Sequence, residues 1–447
     1  MLAAFRRNPR DRAIAALAIP ALGTLAIDPF VSIVDTAWVG RLGVAPLASL
    51  AIASAVFMAI FSVFNFVHAA VTPLVAGAVG KDDIPSAGSI ATGSIVTAAA
   101  IGVVVGIVAI LLAEPLTRVF GGEPSVLADA TAYLQIRFLA LPAVLVAMAG
   151  HGIFRGHSDT KTPLYVAIGM NAINLVLDPI LIFGAGLGVE GAAWATVFAQ
   201  VFAAGWFLVL IFGTQRHRLG TDRRARGTGP LPIGNIISAG WPMMIRSAAL
   251  LFAISATTVA ASRISTQAVA AHQIAMQVWL FLSFVLDSFA IAAMAMIGTD
   301  LGAGDTKAAR AVGNRLLALG LMTGLGLSLA LLISAPFVGL IFTSDPGVLA
   351  DLSSIYVFVV VLQPLTALVY VWDGIGIGAS AFKFLAASMV VSALLTVVVL
   401  VMFGDTLVGV WAGVATLTVS RLVMLAAWYS FWGHAYERDS YPASQGP

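Results

Sequence analysis

Twelve apolar runs, each long enough to cross a hydrocarbon core of about 30 Å, occupy the chain almost from end to end. They cover residues 14–40, 47–79, 88–113, 126–154, 163–184 and 190–213, then 236–261, 268–299, 310–335, 350–377, 383–403 and 407–432. In lipid a backbone N–H or C=O finds no water, so such runs must satisfy themselves as helices. The expected fold is an all-α membrane protein with twelve transmembrane helices. Composition agrees, because 60% hydrophobic and 10% charged residues with a mean hydropathy of +1.00 leave no room for a large soluble domain. There is no cysteine, which excludes disulfides and thiolate metal sites.

The net charge of +2 hides a segregation. If the spans alternate in direction, one side collects Arg6, Arg7, Lys81, Arg155, Lys161, five arginines between 216 and 226, Lys307, Arg310, Arg315, Lys383 and Arg438. The opposite side holds Arg41, Arg118, Arg137 and Arg263. By the positive-inside rule both termini are expected in the cytoplasm of a cell whose inner or plasma membrane the chain crosses. The start does not read as a cleaved signal, because the apolar run continues past any short h-region into Asp35.

The two halves repeat at one constant spacing of 222 residues. Pro124-Ser-Val-Leu-Ala-Asp129 recurs as Pro346-Gly-Val-Leu-Ala-Asp351. Pro20, Arg41, Gly80, Pro142, Lys161, Gly191 and Thr196 fall on Pro242, Arg263, Gly302, Pro364, Lys383, Gly413 and Thr418. Six helices per copy gives a parallel repeat, with lobes expected at 1–213 and 233–447, a basic linker at 214–232 and a shared cavity.

The repeat breaks where the chemistry is. Asp35, Asn174 and Asp178 correspond to Thr257, Thr396 and Leu400. In the first span Thr24, Asp28, Ser32 and Asp35 step by four, four and three, forming one polar stripe on a helix that also contains Pro20 and Pro29. In the fifth span Asn171, Asn174 and Asp178 share a face, and the sixth adds Thr196 among small residues. An ionisable side chain inside hydrocarbon costs roughly 2.5–3.5 kcal/mol and marks a functional site by default. Two neighbouring carboxylates in low dielectric can hold a proton or a hard cation such as Na⁺, and not usually both at once. The bland alternative makes Asn174 and Thr196 interhelical hydrogen-bonding groups and Asp178 a cap before Pro179.

Asp287, Asp373 and Arg246 also lie at or near membrane depth, as cavity-lining groups or as fold-holding pairs; Asp287 is the suggested partner of Arg246. With Asp28, Ser32 and Asn171 they make up the substrate-cavity candidates. His68 and His151 read as packed, hydrogen-bonded residues before they read as proton relays. No H-E-x-x-H or G-x-S-x-G motif supports an intramembrane enzyme.

Asp35-Thr-Ala-Trp-Val-Gly40-Arg-Leu-Gly43, Asn174-Leu-Val-Leu-Asp178-Pro179 and Gly188-Val-Glu-Gly-Ala-Ala-Trp-Ala-Thr196 resemble the multidrug and toxic compound extrusion (MATE) family, in its DinF branch. Arg155-Gly-His-Ser-Asp-Thr-Lys161 resembles the loop after the fourth helix of that family. The resemblance covers the whole chain. It implies an exporter driven by inward H⁺ or Na⁺ in which Asp35 is the principal titrating carboxylate. Asn174, Asp178 and Thr196 complete the proton or Na⁺ site, and Pro20 is the helix 1 hinge. Asp28 departs from the uncharged residue expected there. The reading is alternating-access antiport of amphipathic or cationic compounds, H⁺ favoured over Na⁺, by a monomer with no organic cofactor and no nucleic-acid partner. A lipid-linked oligosaccharide flippase of the same superfamily is the alternative; a cavity for anionic lipids would need several Arg or Lys.

Overall fold

The computed structural model describes residues 8–64, 66–121, 124–222 and 233–439. Arg6, Arg7, Arg223, Arg224 and Arg226 lie outside the described residues, as does the 223–232 portion of the expected linker. The described residues contain no β-strand. The first copy comprises α1 (Arg10–Gly40), α2 (Val44–Phe64), α3 (Phe66–Gly80), α4 (Ile84–Leu111), α5 (Ala113–Val119), α6 (Pro124–Leu139), α7 (Leu141–Gly156), α8 (Lys161–Pro179) and α9 (Gly188–Val209). The second comprises α10 (Ile233–Ile264), α11 (Thr266–Gly302), α12 (Thr306–Phe342), α13 (Pro346–Gly378), α14 (Phe382–Phe403) and α15 (Leu407–Asp439).

Among the described residues, eleven helices are long and apolar enough to cross a membrane, with Val44–Gly80 counted as one. A twelfth span is formed by Val126–Leu139 and Leu141–Gly156, bent by 48°. The bend falls at Ala140, just before Pro142 at the start of α7, where proline cannot donate to the preceding turn. All twelve expected spans are therefore present.

The chain divides into two compact units, Met1–Ala18 with Ile245–Pro447, and Ile19–Met244. Their limits differ from the halves expected from sequence, because the opening turns of α1 and of α10 each group with the other copy. The packing of α1 shows why: Ile14, Leu17 and Ala18 join a buried cluster with Ala292, Ile297 and Leu316. Asp11 accepts from Arg315 Nε at 2.6 Å and Nη2 at 2.7 Å in the same unit. Both boundaries lie within two or three residues of a proline, Pro20 in α1 and Pro242 in α10.

Within each unit the same joints recur at the 222-residue spacing. A Cβ on Gly102 would lie 2.5 Å from Pro142 Cα, and one on Gly324 would lie 2.8 Å from Pro364 Cα. Gly152 meets the His68 carbonyl as Gly374 meets that of Ala290, and Gly156 meets Thr72 as Gly378 meets Met294. At Gly102, Gly324, Gly156 and Gly374 a backbone approaches to less than 3.0 Å from where a Cβ would lie, and at Gly152 and Gly378 to 3.1 Å, which is the use of small residues in membrane packing. Gly374 and Gly378, after Asp373, thus serve helix approach. Left-handed residues recur too, at Asp82 and Gly304 (φ 55° and 76°) and at Ser158 and Ser380 (φ 55° and 56°). N-caps repeat likewise: Asp83 accepts from the Ser86 amide and Asp305 from the Ala308 amide. The Ser86 bonds hold the Asp83 carboxyl below its usual range, so this cap stays ionised.

Overpacking these joints should be costly. Gly102→Val and Gly324→Val are each expected to destabilise the protein by about 1–3 kcal/mol. The check is thermal unfolding of the purified chain beside Gly326→Ala, whose added Cβ meets nothing within 4 Å. Equal unfolding temperatures in all three would show that the close approach is not rigid.

Candidate ion-coupling and substrate sites

The residues singled out in the first copy fall into two groups along α1, each joined to α8. In the outer group Asp35 and Asp178 meet within hydrogen-bonding reach of one another. Asp178 is fully buried (0% exposed) and Asn174 nearly so (4%). Asn174 Nδ2 lies 3.5 Å from Asp178 Oδ1 and 3.4 Å from Thr196 Oγ1, while the Thr196 hydroxyl donates to the Ala192 carbonyl at 2.9 Å. A Cβ on Gly191 would sit 2.7 Å from the Leu181 carbonyl, so only glycine there lets α9 bring Thr196 this close to α8. Asp35 Oδ1 and Asp178 Oδ2 are buried and have no hydrogen-bond partner. Two facing carboxylates need a positive charge between them, and their unpartnered oxygens suit a proton or a hard cation, while Asn174 turns its Nδ2 toward Asp178 and Thr196.

The inner group is separate. Asp28 Oδ1 accepts from Asn171 Nδ2 at 2.9 Å, and Asn171 also donates to the Ala167 carbonyl. Thr24, buried on the same stripe, donates to the Pro20 carbonyl at 3.0 Å. Ser32 is exposed, and its carbonyl accepts from the Thr36 hydroxyl. The polar stripe therefore divides: Asp35 serves one cluster, Asp28 another, and Ser32 joins neither.

Two neighbours of the acidic pair escape the sequence reading. Arg137, placed there among external loop charges, is buried on α6 (8% exposed) and acts electrostatically on both Asp35 and Asp178. Its guanidinium carbon lies 4.1 Å from the centre of the Phe57 ring, and its Nε and Nη1 have no hydrogen-bond partner. Tyr133, one turn earlier, feels Arg137, Asp35 and Asp178 alike. The signal was present in the sequence, because Arg137 lies inside the 126–154 apolar run just as Asp35 lies inside the first. Arg41, by contrast, stacks over Trp38 at 4.6 Å.

The other unit holds a second charged cluster. The sequence suggests an acidic partner such as Asp287 for Arg246; the structure shows an ion pair to Asp373, with Arg246 Nη2 at 2.8 Å from Asp373 Oδ2. Arg421 Nη2 reaches the same oxygen. Asp287 lies within electrostatic range of Tyr370, which also feels Arg421 and Asp373. His68 and His151 are packed: His68 Nδ1 lies 3.5 Å from Arg155 Nη1, and His151 meets the Phe207 ring edge-on at 5.1 Å.

Among the described residues, two six-span helical copies thus carry a facing carboxylate pair, Asp35 and Asp178, in the first copy. The MatE family profile matches residues 20–180 and 242–402, two segments offset by the same 222 residues. The chain belongs to the MatE family. It is 34% identical to "Protein DETOXIFICATION 44, chloroplastic" of Arabidopsis thaliana, over 93% of this chain and 81% of that protein. It is 25% identical to "DNA damage-inducible protein F" of Escherichia coli (strain K12), over 94% and 93% of the two chains. A crystal structure of MATE in the bent conformation superimposes with a TM-score of 0.89 at 21% identity, covering 97% of each chain, and shares the fold.

Proposed function

We propose that this MATE-family efflux transporter is an antiporter. Entry of a cation, H⁺ in preference to Na⁺, drives export of amphipathic or cationic compounds by alternating access. The observation that carries the reading is the contact between Asp35 and Asp178, each with a buried oxygen lacking a hydrogen-bond partner. A proton needs only that pair. A Na⁺ ion would draw on Asn174 and Thr196 as well, and Na⁺ is then cargo passing through the site. Asp35 lies on the helix that carries Pro20, so occupancy of the pair can bias the course of α1, with Pro20 as the hinge. Coupling further requires that ion and exported compound prefer different states.

The cavity side of the reading draws support from an apolar pocket of about 210 Å³ in the Ile19–Met244 unit. Phe64, Phe66, Ile101, Trp241 and Met244 line it, and it includes the buried Thr97 hydroxyl, which has no partner. Such a lining suits the apolar body of an amphipathic compound.

The test is movement of ethidium in proteoliposomes under either an imposed pH gradient or an imposed Na⁺ gradient. Movement driven by the pH gradient alone supports H⁺ coupling; movement under the Na⁺ gradient alone overturns the ion preference, and no movement under either overturns the antiport reading. The absence of cysteine makes topology directly testable. With both termini cytoplasmic, single cysteines at Ser158 and Gly304 are expected to react only from the cytoplasmic face and those at Gly43 and Gly186 only from outside. The check is labelling of intact cells with an impermeant maleimide.

A further inference from the structure

The α13 helix carries a polar face that the first copy lacks. Gln363, Thr366, Tyr370 and Asp373 step by three, four and three, so they lie along one side of the helix. At the 222-residue spacing their counterparts are Leu141, Val144, Met148 and His151, and those of Arg246 and Arg421 are Thr24 and Ala199. The sister copy keeps the same joints and caps without these groups, so the fold does not require them.

Nor do they satisfy one another. Gln363 and Thr366 are nearly fully buried (1% and 3% exposed), yet both amide atoms of Gln363 and the Thr366 hydroxyl have no hydrogen-bond partner. At the other end of the track two guanidiniums converge on the single oxygen Asp373 Oδ2, and Arg246 Nε is buried without a partner. One carboxylate needs one arginine. A second arginine at membrane depth adds a desolvation cost that this carboxylate cannot offset alone. Guanidiniums present forked donors that match carboxylate and phosphate oxygens.

We propose that Arg246, Arg421 and the Gln363–Asp373 face of α13 form a binding track for an oxygen-rich anionic solute, with Asp373 occupying the arginines in place of the solute's own oxyanion. The solute's carboxylate or phosphate displaces Asp373 on the two arginines, and its uncharged polar groups meet Tyr370, Thr366 and Gln363. The track lies wholly in the Met1–Ala18 and Ile245–Pro447 unit and takes a class of solute opposite in charge to a cationic drug. It rests on this chain being a small-molecule transporter, not on its coupling ion.

The experiment is fluorescence anisotropy of carboxyfluorescein, with ethidium as the cationic control, on the purified full-length chain. Arg246→Gln and Arg421→Gln should each weaken carboxyfluorescein binding by about tenfold, the loss of one charge-assisted bond. Asp373→Asn should tighten it, because the internal competitor is gone; a misfolded variant cannot mimic that gain. Ethidium binding should not follow this pattern. Displacement of the dye by inorganic phosphate and not by acetate would assign the oxyanion as phosphoryl, and the reverse as carboxylate. Carboxyfluorescein binding unchanged in both arginine variants, or weakened in Asp373→Asn with a lower unfolding temperature, would mean a structural ion cluster and overturn the proposal. Wild type that binds ethidium and not carboxyfluorescein overturns it too, while the antiport reading is decided separately by the gradient assay.

Discussion

Asp35→Asn and Asp178→Asn are each expected to bring ethidium movement in gradient-loaded proteoliposomes down to the leak rate, a loss of tenfold or more, while the chain still inserts. The amide keeps the shape of the side chain and loses its capacity to take a proton or face a cation with full charge. A driving ion must bind one state about 10⁴-fold better than the other to swing a 1:99 population to 99:1, roughly 5.5 kcal/mol of preference. On the proposed antiport reading, that preference comes from the pair whose buried oxygens lack hydrogen-bond partners. Asparagine leaves one charge where there were two, so the pair no longer demands a counter-charge between its members. Coupled export that survives in Asp35→Asn, measured beside wild type at equal reconstitution, would remove Asp35 from the mechanism.

The second large effect is expected at Arg137. Arg137 is a buried positive charge that acts electrostatically on both carboxylates, so its removal leaves them less compensated. Arg137→Gln should therefore lower the unfolding temperature of the purified protein markedly. The double variant Arg137→Gln/Asp35→Asn should recover part of that loss, since it withdraws the carboxylate left exposed to its neighbour. The cycle separates two roles that the structure superimposes, because Arg137 both faces the acidic pair and lies over the Phe57 ring. A double variant no more stable than Arg137→Gln alone would assign the effect to the ring contact.

A smaller effect is expected at the helix 1 proline. Pro20→Ala restores a backbone donor in α1, and it should slow export several-fold while leaving dye binding unchanged. The comparison is export rate against binding affinity in the same preparation; equal export rates would take the hinge away from Pro20.

Much of this architecture was legible because membrane helices announce themselves by length and apolarity, and because duplication at a fixed offset leaves every joint in register. The α1 and α8 carboxylates were legible for the same reason: Asp35 and Asp178 interrupt apolar runs, and helical spacing placed Asn174 on the Asp178 face. Arg137 was missed because the alternation of spans groups it with loop charges although it lies inside the 126–154 run, and the run does not show that a helix ends at Leu139 or that Arg137 turns inward to Phe57. The convergence of Arg246 and Arg421 on Asp373 was hidden by separation along the chain, 127 and 48 residues. Ser32 lies on the stripe of Asp28 and Asp35 and is exposed, joined to neither cluster.

The glycine joints and caps occur twice, whereas each charged cluster occurs once. Each copy is thus an internal control for the other. A map of tolerated substitutions across the chain should show two superimposable tracks wherever backbones touch, at Gly102 and Gly324 or at Gly152 and Gly374. It should turn one-sided at Asp35, Asp178, Arg246 and Arg421, whose counterparts at the 222-residue spacing, Thr257, Leu400, Thr24 and Ala199, carry no charge. Duplication supplied the frame twice, and divergence then wrote a pair of carboxylates into one copy and a pair of arginines sharing one carboxylate into the other.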